Sequence, residues 1–159
     1  MRRILNFMFE EFEVIWLTGQ PGAGKTSIGK LIHDNVVSNG KRKAVILDGD
    51  DIRLLFENKD YSITGRRRNI DFVQKMVDFL IGNDILPIVS LVSPFKDLRE
   101  STKSIHKTLE LYLKCSEIRG REHFHVEYYE PPSEHFIELD TTGKTEKETF
   151  EYLLKQLKS

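Results

Sequence analysis

Two short clusters in this chain carry residue types that handle phosphate. The first, Gly19-Gln20-Pro21-Gly22-Ala23-Gly24-Lys25-Thr26, has the G-x-x-x-x-G-K-T spacing of a phosphate-binding P-loop. Glycines at these offsets let successive backbone N–H groups point into one concavity, and a following helix adds positive potential at its N-terminus. Gly19, Gly22, Ala23, Gly24, Lys25, Thr26 and Ser27 are therefore candidate nucleotide-binding residues. Lys25 has the reach for the β- and γ-phosphates, and the Thr26 hydroxyl is a candidate Mg²⁺ ligand. The second cluster is Asp48-Gly49-Asp50. One carboxylate beside a phosphate site can help hold Mg²⁺ through water, and the other can accept a proton from an attacking hydroxyl. Asp-Gly is also a common turn dipeptide, so the functional reading depends on the two clusters meeting.

Alternating strands and helices would make them meet. Apolar runs at Val14–Leu17, Ala44–Leu47, Ile85–Val89, Leu109–Leu113 and Phe136–Leu139 read as buried strands. Pro87 is expected at the beginning of the third strand rather than in its middle. Ile28, Leu31, Ile32 and Val36 share one helical face, as do Ile70, Val73, Val77 and Leu80. A short helix is expected over Ile52–Glu57, a loop over Asn58–Gly65, and another helix after Ser93-Pro94. Thr145 and Glu148 form a capping box for a last helix that turns Phe150, Leu153, Leu154 and Leu157 inward. This order predicts a three-layer α/β/α fold of the P-loop NTPase type with a mostly parallel five-stranded sheet. Ligands bind such sheets at the carboxyl ends of the strands, where the P-loop, Asp48-Gly49-Asp50 and Ser93-Pro94 all fall.

The chain has 159 residues, expected to form a single domain, with residues 1–12 an N-terminal extension rather than a signal peptide. A net charge of −1 gives no long-range attraction for nucleic acid. No apolar stretch is long enough for a membrane span. Cys115 is the one cysteine, which excludes an internal disulfide and suits a reducing cytoplasm; it reads as a buried small hydrophobe. His123 and His125 alternate but lack further ligands in pattern, so they read as surface histidines rather than a zinc site. Arg66-Arg67-Arg68 stands at a helix start, where basic residues oppose the macrodipole; this favours an anionic ligand for Arg66, with Arg67 and Arg68 at the surface. Tyr128 and Tyr129 read either as packing for the segment they lie in or as contacts to a base.

Several segments, in order along the chain, carry a family resemblance. Leu47-Asp48-Gly49-Asp50-Asp51-Ile52-Arg53 resembles the L-D-G-D-N-[VI]-R segment of adenylylsulfate (APS) kinases. Val14–Thr26 resembles their first strand and P-loop; Tyr61–Ile70 resembles F-S-x-x-D-R-x-E-N-I; Val92–Phe95 resembles I-S-P-Y. Tyr129–Pro132 and Glu138–Thr141 resemble the family's later segment. The resemblance implies transfer of the γ-phosphoryl of ATP to the 3′-hydroxyl of APS, giving PAPS, with ATP and Mg²⁺ as cofactors. It implies that Lys25, Asp50 and Ser93 are catalytic, Asp50 as base and Ser93 near the reacting phosphate. It further implies that Asp48, Arg53, Tyr61, Arg66, Asn69 and Phe95 serve the acceptor, with Tyr61 where the family stacks a Phe on adenine and Phe95 primarily a core anchor. The family is often dimeric, so a homodimer is expected.

Departures from the family pattern mark where this chain differs. Gln20-Pro21 stands where the family usually has Leu-Ser, Asp51 where it has Asn, and Gly65 where it has Asp. The region 116–133 lacks the family's long lid segment, and Arg119 or Arg121 would stand in for its arginines. Two alternatives follow: a kinase acting on another nucleotide, such as a cytidine-diphosphate conjugate in surface-polysaccharide assembly, and a non-catalytic nucleotide-binding derivative.

Overall fold

The computed structural model describes residues 8–39, 42–117, 119–120 and 124–159. Its strands are β1 (Val14–Thr18), β2 (Lys43–Asp48), β3 (Ile85–Ser90), β4 (Thr108–Lys114) and β5 (Ile137–Asp140). Its helices are α1 (Lys25–Ser38), α2 (Gly49–Leu55), α3 (Ile63–Ile81), α4 (Lys96–Ile105) and α5 (Glu146–Lys158). The sheet order is β2-β3-β1-β4-β5 and every pairing is parallel. The sheet expected to be mostly parallel is parallel throughout. Four of the apolar runs become strands one or two residues longer, because flanking polar residues such as Lys43, Asp48, Thr108 and Lys114 also join the ladders, and the fifth keeps its length but shifts by one residue to Ile137–Asp140.

Alternation along β1 builds the layers. Ile15 and Leu17 join one buried cluster with Ile28, Ile32 and Val36 of α1 and Leu153 of α5. Val14 and Trp16 join a second cluster with Ile70, Val73 and Val77 of α3. Successive strand side chains point to opposite faces, so one strand anchors helices on both sides. Each fully buried aliphatic side chain contributes about 1.5–3 kcal/mol, which makes these faces the main support of the site above them. Phe9 is buried in the first cluster, with Met8 and Phe12 against it, so the described part of the N-terminal extension is tied to the core. Residues 1–7 of that extension lie outside the described residues.

Four expectations are corrected. Pro87 is the third residue of β3 and pairs with Val45; the ladder toward β1 begins only at Ile88, which suits a residue without an N–H. The helix expected over Ile52–Glu57 starts earlier, at Gly49, because the Asp48 side chain caps it by accepting from the Asp50 N–H. The expected loop Asn58–Gly65 ends at Ser62, whose hydroxyl caps α3 by accepting from the Gly65 N–H. Cys115 is half-buried rather than buried, one residue beyond β4. Among the described residues, no helix is long and apolar enough to cross a membrane.

Candidate active site

The carboxyl ends of β1, β2 and β3 open into one cleft of about 820 Å³. Its walls include Gly22, Gly24, Lys25, Thr26 and Ser27 of the P-loop and α1, Asp48 and Asp50 at the β2–α2 junction, and Arg53 of α2. Tyr61, Arg66 and Asn69 line it from the start of α3, Ser93 from beyond β3, and Arg119 from the connection after β4. The structure thus brings both sequence clusters and most of the candidate acceptor residues together. Gly19 and Ala23 support the loop from outside the lining, and Ala23 is buried. Phe95 is not part of the wall: it is buried in the second core cluster and stacks on Tyr128 at 5.8 Å between centroids. The structure places Phe95 in the core-anchor position expected of it, and its secondary role toward the acceptor has no contact with the cleft wall behind it.

The P-loop geometry follows from its glycines. Gly24 has φ +100° and precedes α1, a conformation L side chains rarely adopt. No side chain caps α1, so its leading N–H groups are left facing the cleft for an anion. Lys25 is buried, and its ammonium donates to the carbonyls of Gly19 (2.9 Å) and Gln20 (2.8 Å). Arg119 Nη1 donates to the Gly22 carbonyl at 3.3 Å and Nη2 to that of Thr141 at 3.0 Å, placing one of the two lid-arginine candidates directly over the loop. The other, Arg121, lies outside the described residues, as does His123.

Thr26 and Asp48 meet. The Thr26 hydroxyl donates to Asp48 Oδ2 at 3.0 Å while Asp48 Oδ1 caps α2. A hydroxyl and a carboxylate side by side are hard oxygen donors, which fits Mg²⁺ shared with phosphate oxygens and water. Among the described residues there is no group of three or more His, Cys, Asp or Glu side chains that could hold a metal ion. A second cavity, about 550 Å³, adjoins the P-loop on its far side and is bordered by Ser27, Arg119, Thr141, Lys144 and Thr145.

The acceptor side is organised around Tyr61. The Arg53 guanidinium sits 3.9 Å from its ring centroid and donates to the carbonyls of Asn58 and Asp60. Burial lowers the Arg53 pKa from its ordinary value, opposed by Tyr61, Asp50 and Asp60. Arg66 lies 5.5 Å from the same ring and donates to the Tyr61 carbonyl. Asn69 is 5% exposed, lines the cleft, and its Oδ1 is buried without a hydrogen-bond partner. Arg67 pairs with Asp97 through two hydrogen bonds at the surface. Gly65, the departure from the family's Asp, has a spatial reason: a Cβ there would collide with the carbonyl and side chain of Asp60.

Ser93 lines the cleft, but its hydroxyl is taken up from within. It accepts from Trp16 Nε1 at 3.0 Å and lies 3.0 Å from Thr18 Oγ1. Its φ is +40°, and its carbonyl accepts from Arg99. Arg99 is 1% exposed, pairs with Glu110 at 3.1 Å, and also donates to the Glu130 carbonyl. The reading from sequence missed Arg99. Its helix buries Arg99 and Thr102, so no apolar period marks the face. Tyr129 resolves to packing: it stacks on Tyr112, its hydroxyl is 2.7 Å from Thr18 Oγ1, and burial pushes its pKa up.

The profile of the adenylylsulphate kinase family matches residues 11–132. The adenylyl-sulfate kinase of Thermodesulfovibrio yellowstonii is 37% identical over 106 residues, covering 64% of this chain and 52% of that protein. The chain thus spans about half the length of that relative. The probable adenylyl-sulfate kinase of Pyrococcus abyssi is 32% identical over 165 residues, covering 91% of this chain and 94% of that one. The solved structure of the Mycobacterium tuberculosis APS kinase CysC in complex with AMPPNP and APS superposes with a TM-score of 0.75 at 20% identity, covering 92% of this chain and 97% of that chain. At that identity the superposition shows the shared fold.

Proposed function

The chain belongs to the adenylylsulphate kinase family, and from that premise we propose that it transfers the γ-phosphoryl of ATP to the 3′-hydroxyl of APS, giving PAPS and ADP. The observation that carries this reading is the convergence, in one cleft, of a P-loop with a Thr26–Asp48 pair and an acceptor side bearing Asp50, Arg53, Arg66 and Asn69. Phosphoryl transfer needs positioning and charge neutralisation around two facing phosphate groups, which these side chains supply. The triphosphate lies along the P-loop, with its base end toward the cavity beside Thr141 and Lys144. Lys25 leaves the Gly19 and Gln20 carbonyls for the phosphates, and Asp50 takes or orients the acceptor hydroxyl's proton. Arg53 and Arg66 meet the acceptor's anionic groups, for which a planar guanidinium gives paired hydrogen bonds. The unpartnered Asn69 Oδ1 awaits a donor. Thr26 and Asp48 would hold Mg²⁺, which when bound would supply charge neutralisation. Ser93 acts as a positioning residue, since its hydroxyl is engaged by Trp16 and Thr18.

One observation favours a second acceptor. The loop Asn58–Ser62 folds tightly against Gly65, with Asn58 Nδ2 donating to the Gly65 carbonyl at 2.9 Å, so the acceptor wall is rebuilt where the family has Asp. A cytidine-diphosphate conjugate is the second reading. Incubation with Mg²⁺-ATP and each acceptor, followed by mass analysis of the products, separates them. A phosphate gained at the 3′-position of APS supports the first reading, and phosphorylation of the cytidine conjugate alone supports the second. A single-domain homodimer in the cytoplasm completes the proposal, with sedimentation as the check on its size.

A further inference from the structure

We infer that Gln20 is a positioning residue that latches the segment Phe124–Glu130 onto the P-loop and thereby sets the resting geometry of Lys25. The inference rests on the phosphate-binding reading of the cleft. The Gln20 side chain makes two hydrogen bonds to one residue of that segment: Nε2 donates to the Val126 carbonyl at 2.8 Å, and the Val126 N–H donates to Oε1 at 2.9 Å. Its carbonyl simultaneously accepts from Lys25 at 2.8 Å. One residue therefore joins the segment that borders the cleft to the ammonium that must meet phosphate. Val126 is 4% exposed and both hydrogen bonds are part-buried, so competing water is reduced at the paired amide groups.

The far end of the segment is fastened separately. The Glu130 N–H donates to the Pro94 carbonyl at 2.9 Å and the Glu130 carbonyl accepts from Arg99. Tyr128 stacks on Phe95, and the Tyr129 hydroxyl meets Thr18. These ties make the segment a fixed strap, and Gln20 is its attachment to the P-loop. Position 20 is one of the motif's free positions, so the motif itself does not require an amide there.

The test is Gln20→Ala, read by amide hydrogen exchange of the nucleotide-free chain and by titration with Mg²⁺-ATP. Two hydrogen bonds of ordinary net strength predict that exchange at Val126 quickens by at least about five-fold. Exchange at Glu130 stays as in the wild type, because its anchors are untouched. The dissociation constant for Mg²⁺-ATP rises by a similar factor. Gln20→Glu, which keeps an acceptor for the Val126 N–H and loses the donor, falls between wild type and Gln20→Ala in Val126 exchange. Unchanged exchange at Val126 overturns the latch. Faster exchange with ATP affinity within two-fold of wild type overturns the positioning role. Failure of the wild-type chain to bind ATP overturns the phosphate-site reading and this role with it, while the exchange data still report the latch itself.

Discussion

The Thr26 hydroxyl donates to Asp48 Oδ2 at 3.0 Å, joining the helix after β1 to the end of β2 across the intervening strand β3. Asp48 also caps α2 through its other oxygen. Asp48→Ala therefore removes a cap worth about 0.5–2 kcal/mol and the carboxylate beside the Mg²⁺ position. The expected result is a comparable fall in unfolding free energy by denaturant titration, together with loss of most of the Mg²⁺ dependence of ATP binding.

Asp50 lines the cleft on the first turn of α2, and its backbone N–H is already engaged by Asp48. Asp50→Asn keeps the shape and removes the proton acceptor. Turnover should fall by roughly 10²–10⁴-fold, the usual contribution of a positioned base. The ATP dissociation constant should stay within about two-fold of wild type. Equal losses in turnover and ATP binding contradict the base role.

Arg99 and Glu110 form an ion pair at 1% side-chain exposure each, with Lys103 on the second Glu110 oxygen at 2.9 Å. Breaking a buried pair costs about 3–5 kcal/mol when the remaining charge is left alone; Lys103 stays on Glu110, so that range is the upper bound for losing Arg99. Arg99→Met should show a loss up to that bound in denaturant unfolding. Adding Glu110→Gln should recover part of it, because the buried charge goes as well. A double variant no better than the single one contradicts the buried-charge account.

His106 lies between Glu13 (3.0 Å) and Asp78 (2.7 Å). Desolvation lowers its pKa, but hydrogen bonds to Asp78 and Glu13 outweigh that, and the net direction is upward from the ordinary 6.5. The protonated form is therefore favoured in the folded chain. Its stabilisation is fully present below about pH 6.5 and is lost as pH rises through the folded-state value. The stability gap between wild type and His106→Gln, measured by denaturant unfolding from pH 5.5 to 8.5, should shrink with rising pH. A constant gap contradicts the assignment.

Strand order along the chain, the P-loop and the meeting of Asp48 and Asp50 with it were legible because buried parallel strands read as apolar runs and the motif has fixed spacing. The start of α3 was not. Its first two turns carry a buried glycine, Gly65, and the polar residues Arg66, Arg67 and Arg68, so the apolar period begins only at Ile70. Pro87 was misplaced because propensity does not register which ladder a proline leaves unpaired. The buried face of α4 consists of Arg99 and Thr102, and nothing in a hydropathy pattern distinguishes a buried arginine from a solvated one. Gln20 was read as a free position of the motif, since its partner Val126 is more than a hundred residues away and the contact exists only in the fold.

The central claim is that the two halves of the cleft work on one another's ligands. Its most direct measurement is the initial rate of ADP release from Mg²⁺-ATP, with and without APS. The account predicts release that depends on APS and saturates with it. Release at the same rate without any acceptor, or none with APS while ATP still binds, would contradict it.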